Sequence, residues 1–253
     1  DRFLERHVLR RSWAIITATQ TFADQVRQNN PDLDPARVHA VTNGVDPDDF
    51  EGLKFPDRKN HKFLILHLGS LYGNRDPRFF LKAVEQWVAQ RPEVVSQTEI
   101  RFVGNTPGYA KTVAGTPLEA MVNFTGHAPH RQVLSMLWEA NLLLLILGFD
   151  PAGAGVMPAK LYEYVATGRP ILALIPDGIA ADRIRKYHRG EPVTGEDISS
   201  VIQILNRQFD LWRESSKPEP SGLDLPEEFD RRLQNKKLAG ILDRVSLSTA
   251  LSV

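Results

Sequence analysis

The chain contains no cysteine, which excludes a disulfide framework, a zinc ribbon and a thiol nucleophile. It also has no excess of either charge, because 31 lysine and arginine residues balance 31 aspartate and glutamate residues. This balance argues against a protein that coats nucleic acid or binds membranes through a polybasic surface. The longest apolar run, residues 142–147, is far shorter than the ~20 residues that a membrane-spanning helix needs. We therefore expect a globular, cytoplasmic protein whose 253 residues suffice for a substantial core.

Short apolar runs bounded by glycine or proline alternate with stretches of helical pattern. Most of the runs are continuous, which is typical of strands buried on both faces of a parallel sheet. The predicted strands are 14–17, 38–42, 63–68, 99–103, 122–125, 142–147 and 171–175. The predicted helices are 77–89, 130–140, 158–167 and 179–187. This alternation predicts an α/β fold with a doubly wound parallel sheet.

Two shifts in composition divide the chain. Residues 43–60 are rich in turn-forming and charged residues, and residues 215–222 have the proline and serine content of a linker. Residues 226–245 carry apolar side chains at intervals that fit an amphipathic helix packing back on the body. The shifts therefore separate a leading segment and a terminal helix from the main array of strands and helices.

The loops that follow the predicted strands are the candidate binding regions, because ligands bind outside the carboxyl ends of strands in an open parallel sheet. The loop after 63–68 opens with Gly69, which permits close approach of a backbone, and continues to Arg75, whose guanidinium suits a phosphate. A glycine-rich loop after 142–147 leads into a helix with Lys160 in its first turn. A cation at that position is unfavourable unless an anion lies beside it, so the pattern predicts an anion site.

Other nucleotide and metal motifs are missing from the sequence. No G-x-G-x-x-G fingerprint opens a strand–helix unit, and no Walker A loop occurs. The seven histidines include no H-x-x-x-H pair, so we expect no metal site. Two Asp-x-Asp sequences, at 32–34 and 46–48, lie in proline-flanked loops, and we interpret both as turns rather than as manganese ligands.

Six segments occur in a diagnostic order, and the most specific is PAKLYEYVATGRPILA at residues 158–173. The others are 14–17, 41–46, 66–75, 102–104 and 124–126. Together they resemble retaining glycosyltransferases of the GT-B fold, in the glycogen-synthase-like and lipopolysaccharide-type group. Such enzymes have two Rossmann-like halves with the active site in the cleft between them.

The resemblance also implies a domain organisation. Residues 1–55 correspond to the closing segment of the acceptor-side half and the crossover between the halves. Residues 56–215 correspond to the half that binds the nucleotide sugar. Residues 216–253 correspond to a linker and a C-terminal helix that packs back, and the bulk of the acceptor half lies outside this chain.

Residue roles follow from the same resemblance. Glu163 matches the second glutamate of the family's paired-glutamate motif, which binds the ribose hydroxyls of the donor, whereas Gly155 stands where the first glutamate contacts the sugar. Arg75 matches a basic residue that neutralises the diphosphate. Ser70 stands at the position of its usual arginine companion, which leaves Lys160 as the second cation.

The remaining implied contacts come from the backbone. The amides of Ala159, Lys160 and Leu161 would cap the phosphate, and Gly126 and His127 would meet the base. The full implied set for the donor is Gly69, Ser70, Arg75, Gly126, His127, Ala159, Lys160, Leu161 and Glu163. Of these, Arg75, Lys160 and Glu163 are expected to carry the chemistry.

The implied reaction is transfer of a sugar, with retention, from a UDP- or GDP-sugar to the hydroxyl of a sugar or lipid-linked acceptor, without metal or other cofactor. The implied pathway is polysaccharide or cell-surface glycan synthesis, with no nucleic-acid partner. The basic residues 2–11 suit peripheral contact with a membrane, although a solvated helix explains them better. Two alternatives stay open: a nucleotide-sugar epimerase of the same fold, and a non-catalytic nucleotide-sugar-binding module.

Overall fold

A computed structural model describes residues 2–53, 62–214 and 222–250. The chain divides into two compact units, a smaller one of residues 1–46 with 225–253 and a larger one of residues 47–224. Within the described residues, no helix combines the length and the apolar character that crossing a membrane requires.

The leading part of the smaller unit is a two-stranded parallel sheet with two helices. Its elements are α1 (Arg2–Arg11), β1 (Ile15–Thr17), α2 (Gln20–Asn29) and β2 (Val38–Ala40). The Thr19 hydroxyl caps α2 by accepting the Phe22 N–H at 3.2 Å. Asp34, from one of the two Asp-x-Asp sequences, accepts the Ala36 N–H at 2.9 Å, which is the turn chemistry expected there.

The larger unit is built on a five-stranded sheet in which every pair of neighbours is parallel. Its strands are β3 (Phe63–Leu68), β4 (Thr98–Val103), β5 (Val122–Gly126), β6 (Leu142–Ile146) and β7 (Ile171–Leu174). All seven predicted strands are therefore confirmed, because the apolar runs extend the backbone and the intervening glycines and prolines end them.

The helices of this unit are α3 (Arg78–Gln90), α4 (Val94–Gln97), α5 (Ala110–Val113), α6 (His130–Glu139), α7 (Ala159–Ala166), α8 (Ile179–Lys186) and α9 (Ile198–Glu214). The four predicted helices are confirmed as α3, α6, α7 and α8. The sequence analysis did not assign α9, which packs on α3 through Trp87 and Phe209 with ring centroids 5.6 Å apart. The Trp87 indole N–H also donates to the Asn206 side chain at 2.9 Å.

The order of the strands, β5-β4-β3-β6-β7, determines where a ligand can bind. From β3 the chain proceeds outward to β4 and β5, and then crosses to the other side of β3 to form β6 and β7. The reversal falls between β3 and β6, the position at which doubly wound sheets bind ligands. The edge strand β5 alternates in burial, with Asn123 exposed, so the expectation of burial on both faces is wrong there.

The C-terminal part of the smaller unit contains a short 3-10 turn and α10 (Arg231–Ala250). The Val45 N–H donates to the Phe229 carbonyl at 2.7 Å, which joins this part to the leading segment. Phe229 and Ile241 are buried, but Leu233 and Leu242 are 41% and 52% exposed. The predicted helix is therefore present, whereas its expected apolar face is only partly covered.

Candidate functional site

The sheet opens between β3 and β6 at the carboxyl ends of the strands. Pairing stops after Leu66 and Leu143, and the next ladder bond would join the Leu68 N–H to the Leu144 carbonyl. The Tyr164 hydroxyl of α7 lies between these groups instead. It accepts the Leu68 N–H at 2.9 Å and donates to the Leu144 carbonyl at 3.5 Å. Helix α7 (Ala159–Ala166) is thereby attached to both strands.

His67 lies in the same opening and is completely buried. Its Nδ1 is 3.0 Å from the Leu144 carbonyl oxygen, which can only accept, so Nδ1 carries the proton. Its Nε2 then accepts from the Nζ of Lys160 at 3.4 Å. Burial, followed by the charge of Lys160, holds the pKa of His67 well below its usual range. His67 is therefore a neutral ring with a fixed tautomer.

Lys160 brings a cation to this position from the first turn of α7. Its Nζ donates to the Leu68 carbonyl at 2.6 Å. Burial, and then the positive charge of Arg75, lower the pKa of Lys160 to about 7. The ammonium is thus only marginally stable at neutral pH, and an anion beside it would favour its charged form.

A cavity of about 300 Å³ opens directly above these groups. Its walls come from the ends of β3 and β4, the loop after β5 and the starts of α6 and α7. The sequence-predicted residues that line it are Gly69, Ser70, His127, Lys160 and Glu163. His130, at the first position of α6, also lines it. The topology therefore brings together residues that are almost a hundred positions apart in the chain.

A larger depression of about 460 Å³ lies at the start of α9, away from these residues. Its lining includes Asp197 and Ser200, whose side chains hydrogen-bond to each other at 2.6 Å. Asp197 also accepts the Ser200 N–H at 3.1 Å, so the carboxylate caps the helix. We therefore assign the candidate site to the cavity between β3 and α7, where charged groups converge on open space.

Glycines allow the loops after β3, β4 and β5 to lie against one another. Gly104 has φ +138°, and a Cβ atom on it would come within 2.6 Å of the Gly69 carbonyl group. The Gly69 N–H donates to the Val103 carbonyl and the Gly104 N–H to the Gly126 carbonyl, each at 2.7 Å. Gly126 thus supports the cavity from behind through its carbonyl group.

Arg75 lies farther along the loop after β3. Its Cζ is 4.7 Å from the centre of the Tyr72 ring, a cation–π contact that holds the guanidinium on the surface of the loop. Its charge contributes to the lowered pKa of both Lys160 and His67. Arg75 is therefore near enough to interact electrostatically with Lys160, but it is not among the residues that line the cavity, and its contact with a phosphate stays a prediction.

The start of α7 presents fewer amides than the sequence predicted. The first N–H groups of a helix have no acceptor within the helix, which applies to Ala159 and Lys160. Leu161, in contrast, is buried and its N–H donates to the Pro158 carbonyl at 3.0 Å. This corrects the expectation for Leu161, whose amide is already engaged, and the prediction of an anion site at this helix start then concerns the amides of Ala159 and Lys160 alone.

Glu163 is one turn after Lys160 and lines the same cavity. Gly155 ends a 3-10 turn that begins after Asp150. The Asp150 carboxylate accepts the Ala152 N–H at 2.9 Å and the Asn74 side-chain amide at 3.0 Å. The loop after β6 is therefore held to the loop after β3 by Asp150.

In the described residues, no three histidine, aspartate or glutamate side chains form a cluster that could hold a metal.

The sequence model of the family described as "Glycosyl transferases group 1" matches residues 62–207, more than half of the chain. The chain belongs to this family. The match covers the five-stranded parallel sheet of the larger unit and every residue that lines the cavity.

Several solved structures are similar to this family member. Anabaena HepE in complex with UDP and glucose is 16% identical, with a TM-score of 0.65 over 96% of this chain and 66% of that one. The pneumococcal O-GlcNAc transferase GtfA, with UDP and GlcNAc, is 14% identical, with a TM-score of 0.60 over 91% and 44%. WaaG, a glycosyltransferase involved in lipopolysaccharide biosynthesis, is 17% identical, with a TM-score of 0.59 over 77% and 53%. At these identities the likeness shows the fold, and the predicted GT-B fold class is confirmed.

A curated relative is the Protein SIEVE ELEMENT OCCLUSION A of Arabidopsis thaliana. It is 28% identical over 109 residues, which are 41% of this chain and 13% of that protein. This glycosyl transferases group 1 chain therefore spans less than two thirds of that protein and of each of the three solved chains.

Two residues of the site escaped the sequence analysis. His67 interrupts the otherwise apolar strand FLILHL, and a polar side chain in a strand predicted to be buried is a usable signal, because it must find a partner. Tyr164, in α7, is also completely buried. Its role in joining two strands depends on the local opening of the sheet, which the sequence pattern does not encode.

Proposed function

We propose that this member of the glycosyl transferases group 1 family binds a nucleoside-diphosphate sugar in the cavity between β3 and α7. It transfers the sugar to an acceptor hydroxyl with retention of configuration. The observation that carries the proposal is Lys160, whose Nζ is held 2.6 Å from the Leu68 carbonyl at the floor of the cavity. A cation in that position, at a helix N-terminus and near Arg75, is stabilised by a bound anion.

The diphosphate is the group that these residues suit best. Lys160, the amides at the start of α7 and Arg75 stabilise the charge that develops on the β-phosphate as the bond from the sugar carbon to the phosphate oxygen breaks. Glu163 accepts hydrogen bonds from the ribose hydroxyls, and a carboxylate can accept two at once. Gly126 and His127 would meet the base through backbone groups, and His127 lines the cavity. The UDP complexes of HepE and GtfA support a nucleotide donor.

The acceptor hydroxyl attacks the same face of the sugar that the diphosphate leaves, and its proton passes to the departing phosphate oxygen. The described larger unit serves as the donor-binding half. Residues outside it supply the acceptor side, and the acceptor is a sugar or a lipid-linked glycan of the cell surface. The similarity to WaaG, which is involved in lipopolysaccharide biosynthesis, supports this acceptor class.

A second candidate is a non-catalytic module that binds the nucleotide sugar. Gly155 favours it, because this position has no side chain to contact the donor sugar. The module would retain the phosphate and ribose contacts of Lys160 and Glu163 and leave the donor unchanged.

Proton NMR of UDP-glucose, UDP-GlcNAc and GDP-mannose incubated with the chain distinguishes a retaining transferase from an epimerase and from a non-catalytic module. We expect slow release of free sugar, first as the anomer of the donor, and its loss in the variant Lys160→Met. Release of the opposite anomer would refute retention. Appearance of an epimer of the donor would identify an epimerase. Binding without turnover, even when an acceptor-side half is supplied, would identify the module, and absence of binding of all three donors would refute the proposal.

A further inference from the structure

His67 is the one fully buried histidine among the described residues. Both of its ring nitrogens are engaged, Nδ1 with the Leu144 carbonyl at 3.0 Å and Nε2 with the Lys160 ammonium at 3.4 Å. No role in binding or catalysis has been assigned to it above. It nevertheless connects the backbone of β6 to the cation that the proposed function places on the diphosphate.

We propose that His67 is a positioning residue that fixes the ammonium of Lys160 at the floor of the cavity for contact with the donor diphosphate. This inference rests on the proposed function, in which Lys160 meets the phosphate. The Leu144 carbonyl fixes the ring, the ring fixes the ammonium, and the ammonium faces the ligand.

The number of hydrogen bonds supports this role. An ammonium group has three donors on a flexible four-carbon stem. In Lys160 one donor meets the Leu68 carbonyl and a second meets His67, which leaves the third for the cavity that Lys160 lines. Without His67 as the second acceptor, the ammonium would be held only by its hydrogen bond to the Leu68 carbonyl, and the side chain could rotate about it.

The neutrality of His67 matters as much as its position. A carboxylate in its place would pair with Lys160 and cancel the charge that the phosphate requires. The neutral imidazole accepts a hydrogen bond and leaves the full positive charge to the ligand. Burial and the charge of Arg75 lower the pKa of Lys160, so its protonation depends on an anion in the cavity.

The charged and titratable groups around Lys160 set the direction of its pH dependence. His67 faces it from β3 and Arg75 from the following loop. Glu163 lies on its own helix, and His127 and His130 lie across the cavity. Burial and Arg75 set its pKa at about 7 without ligand, and a bound diphosphate raises that pKa. Affinity is therefore highest below pH 7 and falls as the pH rises toward the pKa of the complex.

The test uses two variants that separate the two bonds of the ring. His67→Asn keeps a donor for the Leu144 carbonyl but loses the acceptor for Lys160. His67→Gln places an amide oxygen near the position of Nε2 and so restores an acceptor. We use whichever of UDP, GDP, ADP, CDP and dTDP binds the full chain most tightly. Its dissociation constant should rise about tenfold in His67→Asn and about threefold or less in His67→Gln, with nucleoside binding unchanged.

A double-mutant cycle then asks whether His67 acts through Lys160. In the background Lys160→Met, adding His67→Asn should change the dissociation constant by less than about twofold. Equal losses in the Asn and Gln variants, or losses that add to that of Lys160→Met, would overturn the inference. In both cases diphosphate binding by the wild type would still support the proposed function. Failure of all five diphosphates to bind the wild type would overturn both.

If a variant fails to fold, a measurement on the wild-type chain without ligand still tests the inference. Nitrogen-15 NMR of the wild-type chain at pH 7 should show His67 as a neutral ring protonated on Nδ1. A ring protonated on Nε2 could not accept from Lys160 and would overturn the inference directly.

Discussion

The hydroxyl oxygen of Tyr164 accepts the backbone N–H of Leu68 at 2.9 Å, at the point where β3 separates from β6. A helix side chain thus replaces a strand as the partner of a buried backbone group. Burial raises the pKa of Tyr164 far above its usual value, so the phenol stays protonated and neutral. The contact holds α7, and with it Lys160 and Glu163, at the mouth of the sheet.

Removing this hydroxyl should destabilise the protein without removing a ligand contact. Tyr164→Phe leaves the buried Leu68 N–H without an acceptor, which costs about 1–3 kcal/mol. Urea unfolding followed by circular dichroism measures the change. Tyr72→Phe is the control, since the Tyr72 side chain is exposed and its loss should cost less than about 0.5 kcal/mol. Equal stability of the two variants would show that Tyr164 does not support the opening.

The close approach of the loops at Gly104 predicts an unusually costly alanine substitution. In Gly104→Ala the new Cβ would meet the Gly69 backbone at 2.6 Å, so the loops that line the cavity must separate. Gly108→Ala is the matched control, because Gly108 also has positive φ, +77°, but has open space around its Cβ position. We expect about 1–2 kcal/mol for the control and a larger loss, with weaker diphosphate binding, for Gly104→Ala. Equal melting temperatures would argue against tight packing of these loops.

Arg75 should discriminate between diphosphates and nucleosides. Arg75→Ala removes a charge that acts on the phosphates, so calorimetry should show a loss of about tenfold in affinity for a nucleoside diphosphate and none for the nucleoside. Stability should hardly change, since the guanidinium packs on the exposed Tyr72 ring. An equal loss of affinity for both ligands would remove Arg75 from the phosphate site.

Glu163 should determine the preference of the site for ribose over 2′-deoxyribose in the nucleotide. Glu163→Ala removes the acceptor for the ribose hydroxyls, so the preference for a ribonucleotide over its 2′-deoxy form should disappear. Because the side chain lines a cavity, the free energy of unfolding should fall by less than about 1 kcal/mol. A loss above ~3 kcal/mol without ligand would identify Glu163 as a structural residue instead.

The pH dependence of diphosphate binding should follow the protonation of Lys160. The second ionisation of a phosphate, near pH ~6, is complete well above pH 7, so a change between pH 7.5 and pH 9 that is absent from Lys160→Met comes from Lys160. The pKa of Lys160 is about 7, and a bound phosphate raises it, so the affinity of the wild type should fall across this range. Calorimetry of Lys160→Met should give a weaker but flat profile. A flat profile for the wild type would place the titrating cation elsewhere.

Much of this organisation follows from the sequence because strand runs and loop glycines are local signals. The seven strands were predicted within a few residues, and parallel strands necessarily bring the loops that contain Gly69, His127 and Lys160 to one edge of the sheet. Contacts that depend on small departures from regular pairing were not predictable. The bonds of His67 and Tyr164 to Leu144 exist only because β3 and β6 separate there. The assignment of the Leu161 amide to the phosphate was wrong for a similar reason. Its hydrogen bond to the Pro158 carbonyl depends on how tightly the first helical turn is wound, which the sequence pattern does not show.

The central claim is that the cavity beside Lys160 binds the diphosphate of a nucleotide donor. Isothermal titration calorimetry of the full chain with UDP, GDP, ADP, CDP and dTDP and with their nucleosides at pH 7, in the wild type and in Lys160→Met, tests it most directly. We predict that one nucleoside diphosphate binds the wild type in preference to its nucleoside and loses about tenfold or more in affinity in the variant. Binding that is unaffected by Lys160→Met, or no binding of any of the five to the wild type, would contradict the account.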